Sequence, residues 1–471
     1  VETTPSAGRA AHPAPGLPFA RLFPIAALTF VDVLGLTIIL PLLHLYALRF
    51  GASPLEVGLV AAAFPLAQVV GVPVMGALSD RYGRKPLLVI SQITTFVSFL
   101  MLAFAPSLHV VLLSRVIDGL FGANLATAQA AAADLTTPEQ RARGLGMVGA
   151  SFGLGFLFGP AIALAALEVS NELALPALIA AAYSFASILI TLFVFRETLP
   201  PEARSARAPV WSAGARMLRK PRVPLLVALV FGEQLAFFAF ESLLGLFMLN
   251  RLGLLGQGSA LVFVYVGVLL VFVQVRVIGR WVRRWGEARL VPAALALLAV
   301  GLLAVAFTPE MPQPFYIQAR VEREMAELAL GGTEAGGGTA AIIGTLGVSL
   351  PSEAGRGLGG IVWLMVALVP IAIGSGLMRP LLNALLIRQA GGAGHDSAAG
   401  APVEIGAILG VSAAAATAAN AAAPILGGLL YQTGGPSVPF VAGAVWLAVL
   451  AAAAFAGLRG AAAVSPTGPR A

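Results

Sequence analysis

Apolar runs of about twenty residues recur from one end of the chain to the other, set apart by short polar stretches. Each run is long enough to cross a hydrocarbon layer of roughly 30 Å at about 1.5 Å of helical rise per residue. Lipid offers the backbone no partner, so a spanning segment must pair its N–H and C=O groups internally, which predicts helices. The pattern marks twelve spans: 19–46, 55–78, 86–105, 108–133, 144–167, 174–195, 223–249, 259–281, 289–307, 360–388, 404–431 and 437–459. The expected fold class is an all-α integral membrane protein with twelve transmembrane helices.

The polar interruptions differ in charge. Those after the second, fourth, sixth and eighth spans carry Arg81, Arg84 and Lys85, then Arg141 and Arg143, the bases from Arg204 to Arg222, and Arg280, Arg283, Arg284 and Arg289; most loops on the opposite side offer at most one base. Basic loops stay in the cytoplasm, so both termini are expected there, with the chain in the plasma (inner) membrane. Residues 1–18 and 460–471 read as polar cytoplasmic tails, 19–196 and 223–459 as two six-helix bundles, and 197–222 as a basic cytoplasmic linker suited to an anionic leaflet. The strings "GALSDRYG" (76–83) and "GRWVRRWG" (279–286) share their end glycines, an Arg and an aromatic before the closing Gly. Each follows the second span of its own half, as in duplicated transporter halves. An extracytoplasmic loop over 309–358 breaks the pattern, with an amphipathic "YIQARVEREMAELAL" and a Gly-rich "GGTEAGGGTAA", expected as a surface helix and a loose loop.

Composition supports the membrane reading: 58% of the 471 residues are hydrophobic and 11% charged, against about 25% charged in a soluble domain. The net charge of +7 resides in the loop clusters, so no nucleic-acid partner is expected. Cysteine is absent, which excludes disulfides and thiol chemistry. His12, His44, His109 and His395 are scattered, so no metal site is expected, and neither a Gly-x-Ser-x-Gly nor a phosphate-loop motif appears.

An acid at the bilayer centre costs about 2.5–3.5 kcal/mol, so charges inside the apolar runs point to function. Asp32 lies roughly 15 Å into the first span, and Glu233 equally deep in the seventh, its counterpart in the second half. Both are expected to face a central cavity and exchange protons. Arg115 and Asp118 share a face of the fourth span with Gly122 and Gln129. Arg115 is expected to hold Asp32 or Asp118 ionised, the alternative being a permanent ion pair joining spans one and four. Glu241 lies nearer the outer mouth. Phe237, Phe238 and Tyr265 could form a greasy wall, and Gln234, Gln274, Asn383 and Asn420 are polar groups at membrane depth.

In "GALSDRYGRKP" (76–86), Gly76 and Gly83 permit a tight turn, and Asp80 can hold Arg84 and a helix N-terminus of the other half. Asp134 is placed to join Arg84, whereas Arg81 and Lys85 read as solvated charges. In span five, Gly149 with Gly153 and Gly155 with Gly159 form two small faces for close helix approach, and Pro160 bends the span.

"GALSDRYGRKP" resembles the signature loop between helices two and three of the major facilitator superfamily, and "RVIDGLFGA" (115–123) its Arg-bearing motif in helix four. "GMVGASFGLGFLFGP" (146–160) resembles the antiporter motif of helix five at Gly146, Gly155, Gly159 and Pro160, and "FVDVLGLTIILPLL" (30–43) the opening of helix one in tetracycline exporters. The chain departs from the family at Ala163-Leu164, where a glycine pair is usual, and at Asp118, where the residue is usually neutral. The resemblance implies a major facilitator fold of two pseudo-symmetric bundles. It further implies a cytoplasmic gate of Gly76, Asp80, Arg81, Gly83, Arg84 and Asp134 that latches the outward-facing state, and a helix five packed across the half-to-half interface.

The function expected from these readings is secondary transport, not enzymatic catalysis: export of a hydrophobic, cationic or zwitterionic small molecule in exchange for protons. Asp32, Arg115, Asp118 and Glu233 would couple protons; Asp32, Gln234, Phe237, Glu241, Tyr265, Gln274 and Asn383 would line the cavity. The proton gradient supplies the energy with no cofactor, and the partners are substrate, protons and the lipid bilayer, with the protein a monomer. Proton symport of a sugar, peptide or metabolite, and a non-transporting receptor or lipid-handling protein, are the alternatives.

Overall fold

A computed structural model describes residues 19–136, 140–170, 172–199, 216, 218–330, 349–391 and 401–458. Among these are 12 helices long and apolar enough to cross a membrane. They are Phe19–Leu48, Pro54–Tyr82, Arg84–Ala103, Leu108–Asp134, Gly146–Val169, Ala174–Phe193, Val223–Leu252, Gly256–Trp285, Glu287–Ala306, Gly359–Gln389, Ala407–Gly434 and Val438–Leu458, spans one to twelve below. The described residues contain no strand. Both tails, most of the basic linker and the Gly-rich stretch 331–348 lie outside the described residues.

Span two shows how local chemistry sets the ends. Ser53 Oγ accepts the Glu56 N–H while the Glu56 carboxylate accepts the Ser53 N–H at 2.7 Å, and Pro54 follows at the first helical position, a reciprocal cap. The other end outruns the apolar pattern. Helical hydrogen bonding continues through the polar turn to Tyr82 and stops at Gly83, whose φ of +106° suits glycine and whose N–H donates to the Ser79 carbonyl at 3.0 Å. The bundle thus has a Ser53 end and a Gly83 end.

Within the first six spans, span one packs on five and six, three on six and four, and two on four; within the last six, nine packs on ten and twelve, and seven on eleven and twelve. The two sets meet through spans two and eleven and spans five and eight. Their closest approaches gather toward the Ser53 end. A Cβ on Gly58 would lie 2.2 Å from the Pro424 carbonyl oxygen, and one on Gly428 2.6 Å from that of Pro54. The His44 imidazole is buried against Gly245, and Gln257 donates to the Leu167 carbonyl at 3.0 Å. Nearer the Gly83 end, the successive residues Gln274, Val275 and Arg276 of span eight are all exposed. Successive helical side chains point about 100° apart, so most of the helix circumference is uncovered there, while the preceding residue, Val273, stays buried against Gly376 of span ten.

Two spans depart from regular α-helix. Span four, expected unbroken, divides into Leu108–Phe121 and Asn124–Asp134. Gly122 has φ −74° and ψ 56°, and the Ala123 N–H donates to the Phe121 carbonyl at 2.8 Å, the geometry of an inverse γ-turn. Span eight contains a π turn at Val273–Val277. The amphipathic stretch forms the helix Gln318–Leu330 and sends Val321 and Met325 into the core beside buried Tyr316.

Candidate functional site

Asp32 projects from span one at mid-depth, roughly 20 Å along the helix from Phe19 and so deeper than the roughly 15 Å expected, because the helix begins at Phe19, thirteen residues before it. The half-buried carboxylate accepts the Asn124 side-chain N–H at 2.8 Å. Asn124 opens the second half of span four, so the γ-turn at Gly122 brings it to Asp32. The carbonyls freed by the break are satisfied: Ser91 donates to that of Phe121, and Gln68 to that of Gly122 at 3.2 Å.

Arg115 does not pair with Asp32. Its guanidinium lies 3.3 Å from the Asp118 carboxylate, donates to Ser98 Oγ at 2.9 Å, and sits 5.5 Å over the Phe99 ring. Asp118 also accepts from Thr95 at 2.8 Å. All these partners outside span four belong to span three, so the ion pair joins spans three and four rather than one and four. Both residues are at most 3% exposed, and the Asp118 charge still reaches Asp32.

Glu233 and Arg379 each lie ten residues from the Gly83-end terminus of their helix, Val223 and Gln389, or roughly 15 Å deep. Glu233 is 6% exposed, whereas Arg379 of span ten is exposed. Neither Glu233 nor Glu241 makes a hydrogen bond or close ion pair among the described residues, and the Arg379 charge acts on both. The second set of spans thus holds two acids within its apolar runs and an exposed base level with Glu233. Phe237 packs on Phe240 with ring centroids 6.0 Å apart, and Phe238 and Gln234 are half-buried beside it. The Tyr265 hydroxyl donates to the Met365 carbonyl at 3.1 Å, tying span eight to span ten. Gln274 stands on the π turn opposite Gly153 of span five, Asn383 is half-buried in span ten, and Asn420 has an unpartnered buried carbonyl oxygen.

At the Gly83 turn, Arg84 is 3% exposed and binds Asp80 at 2.7 Å, Asp134 at 3.0 Å and Ser79 Oγ at 3.1 Å. These bonds all lie within the first six spans. Gly76 faces open space, and exposed Arg81 stacks 5.4 Å over the Tyr82 ring. Lys85, expected to be solvated, instead donates to the carbonyls of Leu192 at 2.8 Å and Phe195 at 2.9 Å, where cations suit the end of span six. Glu197 falls at the start of the basic linker, where no functional residue is expected. Its carboxylate accepts the N–H groups of Arg84 at 2.9 Å and Lys85 at 3.1 Å, and also those of Thr198 and Leu199. Burial would raise its pKa, but these backbone donors outweigh burial and hold it below the usual glutamate value.

Span five meets two neighbours with its small residues: Gly153 faces Gln274 of span eight, and Gly155 and Gly159 lie tight against span one. A Cβ on Gly155 would lie 2.6 Å from Val33 and one on Gly159 2.0 Å from the Thr37 hydroxyl, which donates to the Gly155 carbonyl at 2.9 Å. Gly155 and Gly159 therefore seat span five on span one, while its contact with the other set includes Phe156 and Leu157 against Gly267. Gly146 and Gly149 face open space, and Pro160 is buried.

Residues 25–360 match the family profile of the Major Facilitator Superfamily. The chain is 32% identical over 266 residues to the class B tetracycline resistance protein of Escherichia coli, covering 55% of this chain and 66% of that protein. It is 26% identical over 270 residues to multidrug resistance protein 1 of Bacillus subtilis (strain 168), covering 57% and 68%. The chain thus spans about two thirds of the length of these relatives. A crystal structure of the human organic anion transporter MFSD10 superposes with a TM-score of 0.62 at 20% identity, over 93% of this chain and 99% of that one, a likeness of fold alone.

Proposed function

Because the chain belongs to the Major Facilitator Superfamily and is a multi-pass membrane transporter rather than an enzyme, we propose that it exports a hydrophobic, drug-like small molecule across the plasma membrane in exchange for protons. The relatives named for tetracycline and multidrug resistance support export of this substrate class. In this reading both termini are cytoplasmic, the Gly83 end faces the cytoplasm, and contacts at the Ser53 end close the outer mouth. The two sets of six spans act as rocking halves around a central site.

One observation carries the proton coupling: Asp32 lies at mid-depth with Arg115 committed elsewhere, so its charge is not cancelled by a fixed cation. A carboxylate so placed takes either a proton or the cationic group of a substrate, and the two compete. Arg379, exposed at the same depth as Glu233, adds a base that can meet an anionic group, which favours a zwitterionic substrate. The Asp80, Arg84 and Asp134 cluster braces the cytoplasmic gate.

The test uses protein in liposomes with a pH-sensitive dye inside and tetracycline as the first probe. Substrate addition is expected to drive proton movement in the wild-type protein. Asp32→Asn should lose this flux at least tenfold while its thermal unfolding is unchanged. Retention of coupled flux in that variant sinks the assignment.

A further inference from the structure

We propose that Asn124 is the positioning residue for proton exchange at Asp32, its carboxamide donating to the ionised carboxylate and, after a half-turn, accepting from the protonated one. The inference rests on the proton-coupled reading of Asp32. Asn124 is 5% exposed, its Nδ2 donates to Asp32 Oδ1 at 2.8 Å, and its own Oδ1 is buried without a partner. A buried polar atom left unpaired is costly, so an idle acceptor beside a titratable group calls for a reason.

The chemistry of the two side chains supplies one. An ionised carboxylate only accepts, whereas a carboxylic acid also donates through its O–H. An amide carries a donor and an acceptor in nearly equivalent positions, and rotation about its last side-chain bond exchanges them. When Asp32 gains a proton from water, the idle Oδ1 of Asn124 can turn to receive the new O–H; when the proton returns to water, the amide turns back. Only the carboxyl O–H bond forms and breaks. Each protonation state therefore finds a partner without movement of either helix.

The backbone keeps Asn124 in place for this. It begins a half-helix directly after the γ-turn, whose exposed carbonyls are pinned by Ser91 and Gln68. The other charges facing Asp32 come from span four itself: Asp118, with Arg115 bound to it. Spans five and six, which pack on span one, bring no charged side chain to this depth; spans seven and eight meet span one within Leu40–Leu48, where span eight brings no charge and span seven carries Glu241, one turn from the Gly245 that packs on His44. An aspartate at position 124 would set a second carboxylate directly against Asp32. An aliphatic residue would serve neither protonation state.

The test is infrared difference spectroscopy of the full chain in lipid vesicles, titrated with acid and needing no substrate. The Asp32 carboxyl band is identified by its loss in Asp32→Asn; if no band is lost, the proton-coupled reading itself fails. In the wild-type protein, a side-chain amide band should change with the same midpoint as the carboxyl band. In Asn124→Leu, the carboxyl band should change frequency and its midpoint should move by about half a unit or more, and Asn124→Gln should recover part of both effects. A merely structural Asn124 would lower the unfolding temperature in Asn124→Leu and leave band and midpoint alone, which overturns the proposal. Should the Leu variant not fold, a wild-type amide band that stays silent through the titration overturns it equally.

Discussion

Glu197 closes a two-way bond between helix ends: its carboxylate receives the first N–H groups of span three, while Lys85 gives its ammonium to the last carbonyls of span six. Both charges match the helix dipole they meet. Glu197→Gln should cost about 1 kcal/mol of stability near neutral pH, since the carboxylate is partly exposed. The pKa of Glu197 is depressed on folding, so its contribution is complete above the ordinary value of 4.5 and fades as pH falls through and below it. Thermal unfolding of wild-type and variant in detergent should therefore differ at pH 7 and converge in acid. For Arg379→Gln, the expected outcome is a KM for a zwitterionic substrate raised about tenfold or more with a smaller change for a purely cationic one, read from uptake into everted vesicles. Charge inside an apolar run made Asp32 and Glu233 legible in the sequence, and the same signal was present at Arg379, flanked by Met378 and Pro380. Asn124 gave the same weaker signal as Gln234, Gln274, Asn383 and Asn420, a neutral amide within an apolar run, and nothing in the hydrophobic pattern set it apart from them. The Arg84–Asp134 bond was legible because each residue ends a span on the same side.

Helix geometry turns these residue contacts into longer-range links. The half-helix Asn124–Asp134 is roughly 16 Å long, with Asp32 bonded at its first residue and Arg84 at its last. The candidate proton site and the gate cluster are thus the two ends of one rigid rod. The apolar run gave no notice of the break that frees this rod, because Gly122 and Ala123 read as helix in a hydropathy pattern; the local glycine and the amide after it were the available signs. Span five shows the same limit. Four-residue spacing identified both pairs of glycines, but spacing alone does not say which pair another helix covers. Gly159→Ala should push span five off span one and cost about 1–3 kcal/mol, because the added carbon would sit 2.0 Å from the Thr37 hydroxyl. Gly149→Ala meets nothing within 4 Å and should instead stabilise the helix by about 0.5–1 kcal/mol. Unfolding temperatures with opposite signs for the two variants check the assignment.

At the scale of the molecule, span number and most span boundaries followed from hydrophobic length, because lipid imposes the same requirement on every crossing segment. How the two sets of six meet was not readable in that way, since a residue facing lipid and one facing another span are equally apolar. The structure answers it with glycine set against backbone: Gly58 on Pro424 and Gly428 on Pro54, the chains touching with almost no side chain between them. Few rotamers are frozen when such surfaces join, so little entropy is regained when they separate. In the proposed orientation, that makes the Ser53 end a clasp at the outer mouth that is not strongly held either open or shut. A bulky wedge in the clasp would act as a doorstop. Gly58→Val is expected to leave the protein folded yet stranded with its mouth ajar, still able to take up ligand from outside but not to complete a turnover, and so to offer the opposite pose to an antibody or a crystal.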